Sequence, residues 1–209
     1  MKPELLFEYY RGAAREAFEA FCTSCAHPYA YASWIAQTYA YVSQTVPTMR
    51  SVACGCGDQR LRALLEEKAN EELNHDQDIL DNLRCLGFGV GEFEISRPIQ
   101  RLIEITKSIP SSSDHPLSQL VGHMLVLEVM HPSLNDVERI ASHFGVPVQA
   151  TSAFLAHSEL DIDHAVSVMA LLDHGAVSQP HALGSAVRVL QIFRDHWVWM
   201  TDFHMNQSA

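Results

Sequence analysis

Two histidines and an aspartate recur at helical spacing in the last third of the chain. His157-x-x-x-Asp161-x-x-His164 lies in an apolar stretch that runs from Val148 to about Leu172. At about 100° per residue, the three positions fall within about 60° of one another on a helix. Apolar residues flank this face, so it is predicted to point into the protein. Burying such polarity without partners costs several kcal/mol, and a divalent metal ion is the simplest compensation.

A second polar pair interrupts an apolar helix face earlier in the chain. The segment from Asp58 to about Leu86 is predicted as one long helix with Asp58 as its N-cap. Glu72 lies on the apolar line of this helix, and His75 follows one turn later. A carboxylate and an imidazole one turn apart are typical of metal sites in helical bundles. Glu71 is also one turn from His75, but it lies off the apolar line and is the weaker candidate.

Glu128 is the sixth candidate ligand. It is the only carboxylate in the helix predicted from about Leu117 to Met130, and its neighbours are apolar. Carboxylates are rarely buried without a partner, so this one is predicted to serve as a ligand. Three imidazoles and three carboxylates suit iron or manganese, and they suffice for two ions with open coordination positions. The full predicted set is Glu72, His75, Glu128, His157, Asp161 and His164.

Composition restricts the classes of fold and partner. The 209 residues, 47% hydrophobic and 19% charged, predict one domain over residues 1–209 with a sizeable core. The net charge of -11, without any run of lysine or arginine, argues against nucleic acid and anionic membranes as partners. The N-terminus has no signal-peptide pattern and no apolar run approaches the length of a membrane span, so a cytoplasmic protein is expected. A homodimer is left open.

The hydrophobic periodicity predicts an all-α protein, a bundle of about seven to eight helices, without β-alternation or internal repeats. Pro47 and the small residues 53–57 are predicted to mark a loop. The predicted helices cover approximately residues 4–22, 29–46, 58–86, 97–109, 117–130, 134–144, 148–172 and 180–204.

These motifs resemble those of the heme-oxygenase-like diiron oxidases, within the wider group that includes TenA-type, PqqC-type and CADD-like proteins. The resemblance covers nearly the whole chain. It rests on Glu71-Glu72-Leu-Asn-His75, on Glu128, and on His157-x-x-x-Asp161-x-x-His164. It implies a heme-oxygenase-like helical bundle. In some members the first glutamate ligand lies seven residues before its histidine; Lys68 occupies that position here, so Glu72 is expected to serve instead.

The resemblance also implies an O2-dependent non-haem diiron oxidoreductase that acts on a small organic substrate. Such enzymes hold two iron ions, the second often weakly, and use O2 for C–H cleavage, C–C scission or N-oxygenation. An amino acid or a fatty acid is a typical substrate. The six ligands would then be catalytic through the metals, with bridging carboxylates and terminal imidazoles. Tyr39 and Met124 are expected to line the substrate pocket, although such residues on an apolar stripe more often belong to the core.

Parts of the sequence are also compatible with other kinds of metal site and with functions that need no metal. A ferritin-like centre would combine the two Glu-x-x-His motifs, the second ending at His131, with Glu16 and Glu104, but it leaves the His157 face without a role. The pairs Cys22-x-x-Cys25 and Cys54-x-Cys56 are weaker candidates for structural zinc. A metal-independent enzyme of the PqqC or TenA type and a protein-interaction module on the same fold remain open.

Overall fold

The computed structural model describes residues 2–112, 114–130 and 134–207, with side chains except at 3, 134–136, 138, 157–166 and 207. These residues contain ten α-helices, three short 3-10 helices and no β-strand, which confirms the all-α class. None of the described helices is both long and apolar enough to cross a membrane. The α-helices are Pro3–Ser24 (α1), Pro28–Val42 (α2), Thr45–Gly55 (α3), Gln59–Glu71 (α4), His75–Cys85 (α5), Arg97–Ser108 (α6), Pro116–Val129 (α7), Leu134–Phe144 (α8), Ser152–Leu172 (α9) and Gln179–Gln207 (α10).

Two predictions about the helices are wrong, and they account for the two helices beyond the predicted eight. The expected loop after Pro47 is helical, because Pro47 lies in the first turn of α3, where its missing N–H interrupts no helical hydrogen bond. The expected long helix from Asp58 is divided into α4 and α5. Asn74 has φ 76°, in the left-handed region, and a right-handed helix cannot continue through that conformation. Asp58 does cap α4, since its side chain accepts the backbone N–H of Arg60 and of Leu61.

The buried apolar residues form two clusters. One is largely aliphatic and includes Leu65 of α4 and Val121 of α7. The other is rich in aromatic residues and joins α1, α2, α8 and α10. Within it, Trp34 of α2 stacks on Phe154 in the first turn of α9, with ring centroids 5.0 Å apart. This contact positions the beginning of α9 against the aromatic cluster.

Helices α7 and α10 approach so closely that only glycine fits between them. A Cβ added at Gly122 of α7 would overlap the backbone carbonyl of Ala182 and come within 3.0 Å of the Ser185 side chain. Beside this contact, the Ser185 hydroxyl donates a hydrogen bond to the Gln119 carbonyl at 3.0 Å. The close packing fixes α7, and with it Glu128 near its C-terminal end, relative to α10.

Replacing Gly122 tests this packing. Gly122→Ala is predicted to lower the free energy of unfolding by about 1–3 kcal/mol, because α7 and α10 must separate to admit the methyl group. Gly184→Ala is the matched control. Gly184 lies in α10, nothing lies within 4 Å of its added Cβ, and the change should raise stability by about 0.5–1 kcal/mol. Urea unfolding followed by circular dichroism measures both changes. If both variants changed stability in the same direction and by the same amount, the close approach would be refuted.

Candidate functional site

A lysine lies buried among glutamates where α4 ends. The Lys68 side chain is only 3% exposed, and its Nζ lies 2.8 Å from Glu72 Oε1 and 3.3 Å from Glu128 Oε1. Glu71 Oε2 is 3.5 Å away. Burial lowers the pKa of Lys68, but the negative charges of Glu72 and Glu128 outweigh it and raise the pKa above its ordinary value. Lys68 is therefore a buried cation shared by carboxylates from two helices.

Glu72 and His75 meet across the break between α4 and α5. Glu72 is the C-cap of α4, and His75 is the first residue of α5. Glu72 Oε2 lies 2.8 Å from His75 Nδ1. Burial raises the pKa of Glu72, but the hydrogen bond with His75 and the charge of Lys68 hold it at about 2, so the carboxylate is ionised. The structure brings the predicted pair together, as the spacing requires. The two residues lie on either side of a break between two helices, because Asn74 adopts the left-handed conformation and interrupts the helix.

The two adjacent glutamates differ in their surroundings. The Glu72 side chain is 11% exposed, whereas that of Glu71 is 41% exposed. Glu72 also lines an internal cavity together with Glu128. Glu71 reaches Lys68 from the solvent side of the cluster. The geometry therefore favours Glu72 over Glu71 as a metal ligand, in agreement with its place on the apolar line.

The cavity beside the glutamates has a volume of about 70 Å³. Met124, one of the two residues expected to line a substrate pocket, lines this cavity, whereas Tyr39, the other, is half-buried against the aromatic cluster. Tyr41, two residues further along α2 and on a different face of the helix, lines the cavity instead. Burial raises its pKa to about 12, so its phenol stays protonated. A second cavity of about 50 Å³ shares Tyr41, Leu127 and Phe154 with the first. The described lining consists of Thr38, Tyr41, Val42, Thr45, Met49, Glu72, Ile79, Met124, Leu127, Glu128, Ala153 and Phe154.

The remaining three predicted ligands are on α9. His157, Asp161 and His164 share this helix, as predicted, while their side chains lie outside the described part of the structure. Helix α9 packs against α5 and α7, the helices that carry His75 and Glu128. The hydroxyl of Ser152 at the start of α9 donates a hydrogen bond to Asn82 Oδ1 of α5 at 2.6 Å. The three segments that carry the six candidates are therefore packed together.

A ferritin-like centre does not fit this arrangement. Glu16 of α1 and Glu104 of α6, the two further glutamates that it requires, are both exposed. His131 lies outside the described residues. Because both glutamates face solvent, they do not join Glu72 and Glu128 in the interior.

A separate group of potential ligands lies on the surface. Within the described part of the chain, Asp114, His115 and His181 are the one group of three or more whose ligand atoms all lie within 4.8 Å of one another. The two imidazole rings have centroids 4.0 Å apart, and all three residues are exposed. None of them lines the cavity. The sequence did not predict this group, because its members are far apart in the chain. Asp114 and His115 lie in the loop before α7, and His181 lies in the first turn of α10.

Comparison with known proteins identifies the fold. No protein-family model matches the chain, and no curated protein matches it. A crystal structure of a domain of unknown function with a heme oxygenase-like fold, from Shewanella denitrificans OS217, is similar with a TM-score of 0.75. The sequences are 18% identical over 98% of this chain and 90% of that chain. The chain therefore has a heme oxygenase-like fold, as the resemblance implied, and at this identity the similarity concerns the fold alone.

Replacing each of the adjacent glutamates tests the buried ion cluster. Glu72→Gln is predicted to lower the free energy of unfolding by about 3 kcal/mol, near the lower limit for breaking a buried ion pair, because Glu128 still compensates Lys68. Glu71→Gln should change it by no more than about 0.5 kcal/mol, since Glu71 is largely exposed. Urea unfolding in the presence of a metal chelator measures both without any contribution from bound metal. Equal losses in the two variants would contradict the assignment of Glu72 to the interior.

Proposed function

We propose that the chain is an O2-dependent non-haem iron oxidoreductase that oxidises a small organic substrate. The observation that supports this most is that Glu72, which is hydrogen-bonded to His75, and Glu128, from another helix, face the same cavity. Glu72 and Glu128 line a mostly apolar cavity, and Phe154 brings the first turn of α9 to the same cavity. Buried carboxylates and an imidazole beside an apolar cavity are typical of sites where a metal ion and an organic substrate meet.

The donor set fits iron. It consists of oxygen and imidazole ligands without a thiolate, which suits iron or manganese. The hydrogen bond that the His75 ring donates to Glu72 resembles the contacts that orient metal-binding imidazoles in other proteins. We propose that iron is held by ligands from among Glu72, His75 and Glu128 and, on α9, His157, Asp161 and His164. Bound iron would supply the electrons and the open coordination positions that O2 reduction requires.

The cavity walls indicate how a substrate would be held. Met124, Leu127 and Phe154 offer apolar contact to a hydrocarbon group and exclude water from it. The protonated phenol of Tyr41 can donate a hydrogen bond to a substrate oxygen. A volume of about 70 Å³, beside a second cavity of about 50 Å³ that shares three lining residues with it, suits a narrow chain better than a wide ring system. We therefore propose an aliphatic substrate, such as a fatty acid or an aliphatic amino acid.

A second candidate is a metal-independent enzyme on the same fold. Lys68 favours it, because the ammonium group balances part of the carboxylate charge without any metal ion. In that case the same cavity would bind substrate, and Lys68 and the glutamates would serve as acids and bases. Metal content separates the two candidates directly.

Iron loading and O2 reactivity test the proposal. Protein loaded anaerobically with Fe(II) should retain at least one iron per chain after desalting. Mixing it with O2 should give a transient visible absorption that decays faster when a suitable fatty acid or amino acid is present. Glu128→Ala and His164→Ala should each lower the iron content at least tenfold at limiting iron, because each removes a ligand. Glu104→Ala, at an exposed carboxylate of α6, is the matched control and should leave iron content unchanged.

Retention of no iron or manganese by the wild-type protein would refute the proposal and favour the metal-independent enzyme. The bound Fe(II) could instead oxidise slowly and without a transient absorption, at the same rate in wild type and Glu128→Ala and with every fatty acid and amino acid tested. That result would show iron binding without the proposed chemistry.

A further inference from the structure

We infer that the Lys68 ammonium permanently occupies one of the two cation positions in the carboxylate cluster, so that the site binds one metal ion rather than two. This inference rests on the proposed function, because it concerns how the same residues hold iron. The number of candidate ligands and the resemblance both lead one to expect two ions instead. It also assigns a role to Lys68, which is not one of the six candidate ligands.

The geometry places Lys68 where a bridged ion would lie. Its Nζ is 2.8 Å from Glu72 Oε1 and 3.3 Å from Glu128 Oε1, and these oxygens come from different helices. A metal ion that both carboxylates share would need to lie about 2.0–2.2 Å from each oxygen. The ammonium and such an ion would thus compete for the same two oxygens. The other oxygen of Glu72 is already engaged with His75 at 2.8 Å.

Lys68 cannot readily leave this position. It lies on the same face of α4 as Leu61 and Leu65, both of which are completely buried. The side chain itself is 3% exposed, so its four methylene groups are inside the bundle along with its charge. Turning the ammonium out to water would leave the carboxylates of Glu72 and Glu128 inside the bundle without their cation. The last turn of α4 already adjoins the break at Asn74, where Glu72 and His75 are held against each other.

Charge balance leads to the same conclusion. The predicted ligands include three carboxylates, those of Glu72, Glu128 and Asp161. One ammonium and one divalent ion balance these three negative charges. Two divalent ions beside Lys68 would leave an excess of two positive charges among these groups, since Glu71, 3.5 Å from Lys68 Nζ, is 41% exposed and its charge is largely screened by water. Buried charge without compensation is strongly unfavourable. The 2-His-1-carboxylate set of His157, Asp161 and His164 is by itself the pattern of mononuclear non-haem iron sites.

Reversing the charge at position 68 tests the inference. Lys68→Glu adds a fourth carboxylate, which two divalent ions would balance, so this variant should bind two ions where the wild-type protein binds one. Lys107→Glu makes the same charge change at an exposed residue of α6 and should leave the number at one. All variants carry His181→Ala, so that the surface group of Asp114, His115 and His181 adds no ion to the count. The measurement is metal per chain by plasma emission after anaerobic loading with Fe(II), repeated with Mn(II).

Thermal unfolding gives a second readout in case Lys68→Glu folds poorly without metal. Lys68→Met retains the length of the side chain and removes its charge. In chelator, both variants should unfold at lower temperature than wild type, because Glu72 and Glu128 lose their cation. Added Mn(II) should raise the unfolding temperature of both variants by more than it raises that of wild type.

The outcomes separate this inference from the proposed function. Two ions in wild type, or one ion in wild type and in both Lys68 variants, would refute the role of Lys68 while leaving an iron enzyme intact. No metal in any variant would refute the iron enzyme and the inference together. One ion in wild type and two in Lys68→Glu would support both.

Discussion

The cluster of Lys68, Glu72 and Glu128 is the interaction on which the arrangement of the central helices depends. Three charged groups have been removed from water, and each is tolerated only while its partners stay within ion-pair distance. Lys68 and Glu72 come from the end of α4, and Glu128 from the end of α7. A shift of either helix by an ångström or two would leave an uncompensated charge in the interior. The cluster therefore fixes the polar wall of the cavity, whose other walls are apolar.

The rest of the fold holds the helices that carry these charges. The absence of a side chain at Gly122 lets α7 pack directly on the backbone of α10. The Ser152 to Asn82 hydrogen bond and the stacking of Phe154 on Trp34 attach the start of α9 to α5 and α2. Each of these contacts constrains a helix that lines the cavity. The cavity is thus defined by helix packing, and the chemistry at its wall by a few polar side chains.

Much of this arrangement could be predicted from local sequence patterns. The N-cap at Asp58 and the limits of α8, predicted at 134–144 and observed at Leu134–Phe144, follow from capping residues and apolar periodicity. The burial of Glu128 followed from its apolar neighbours. The break at Asn74 could not be predicted in this way, because the apolar line continues across it and only tertiary contacts show which conformation is stable. Lys68 could be recognised as unusual on its buried face, but its role depends on Glu128, which is sixty residues further along the chain and on another helix. The surface group of Asp114, His115 and His181 depends in the same way on the packing of two distant segments.

The proposed centre holds one iron ion beside the Lys68 ammonium in the carboxylate cluster. Its most direct test is a crystal structure of the iron-loaded protein, with diffraction measured on both sides of the iron absorption edge. We expect one anomalous peak per chain at the cavity, with Lys68 Nζ still between Glu72 and Glu128. Two peaks bridged by Glu128, with Lys68 displaced from the cluster, would contradict the role of Lys68. Absence of any peak at the cavity in iron-soaked crystals would contradict the metal centre itself.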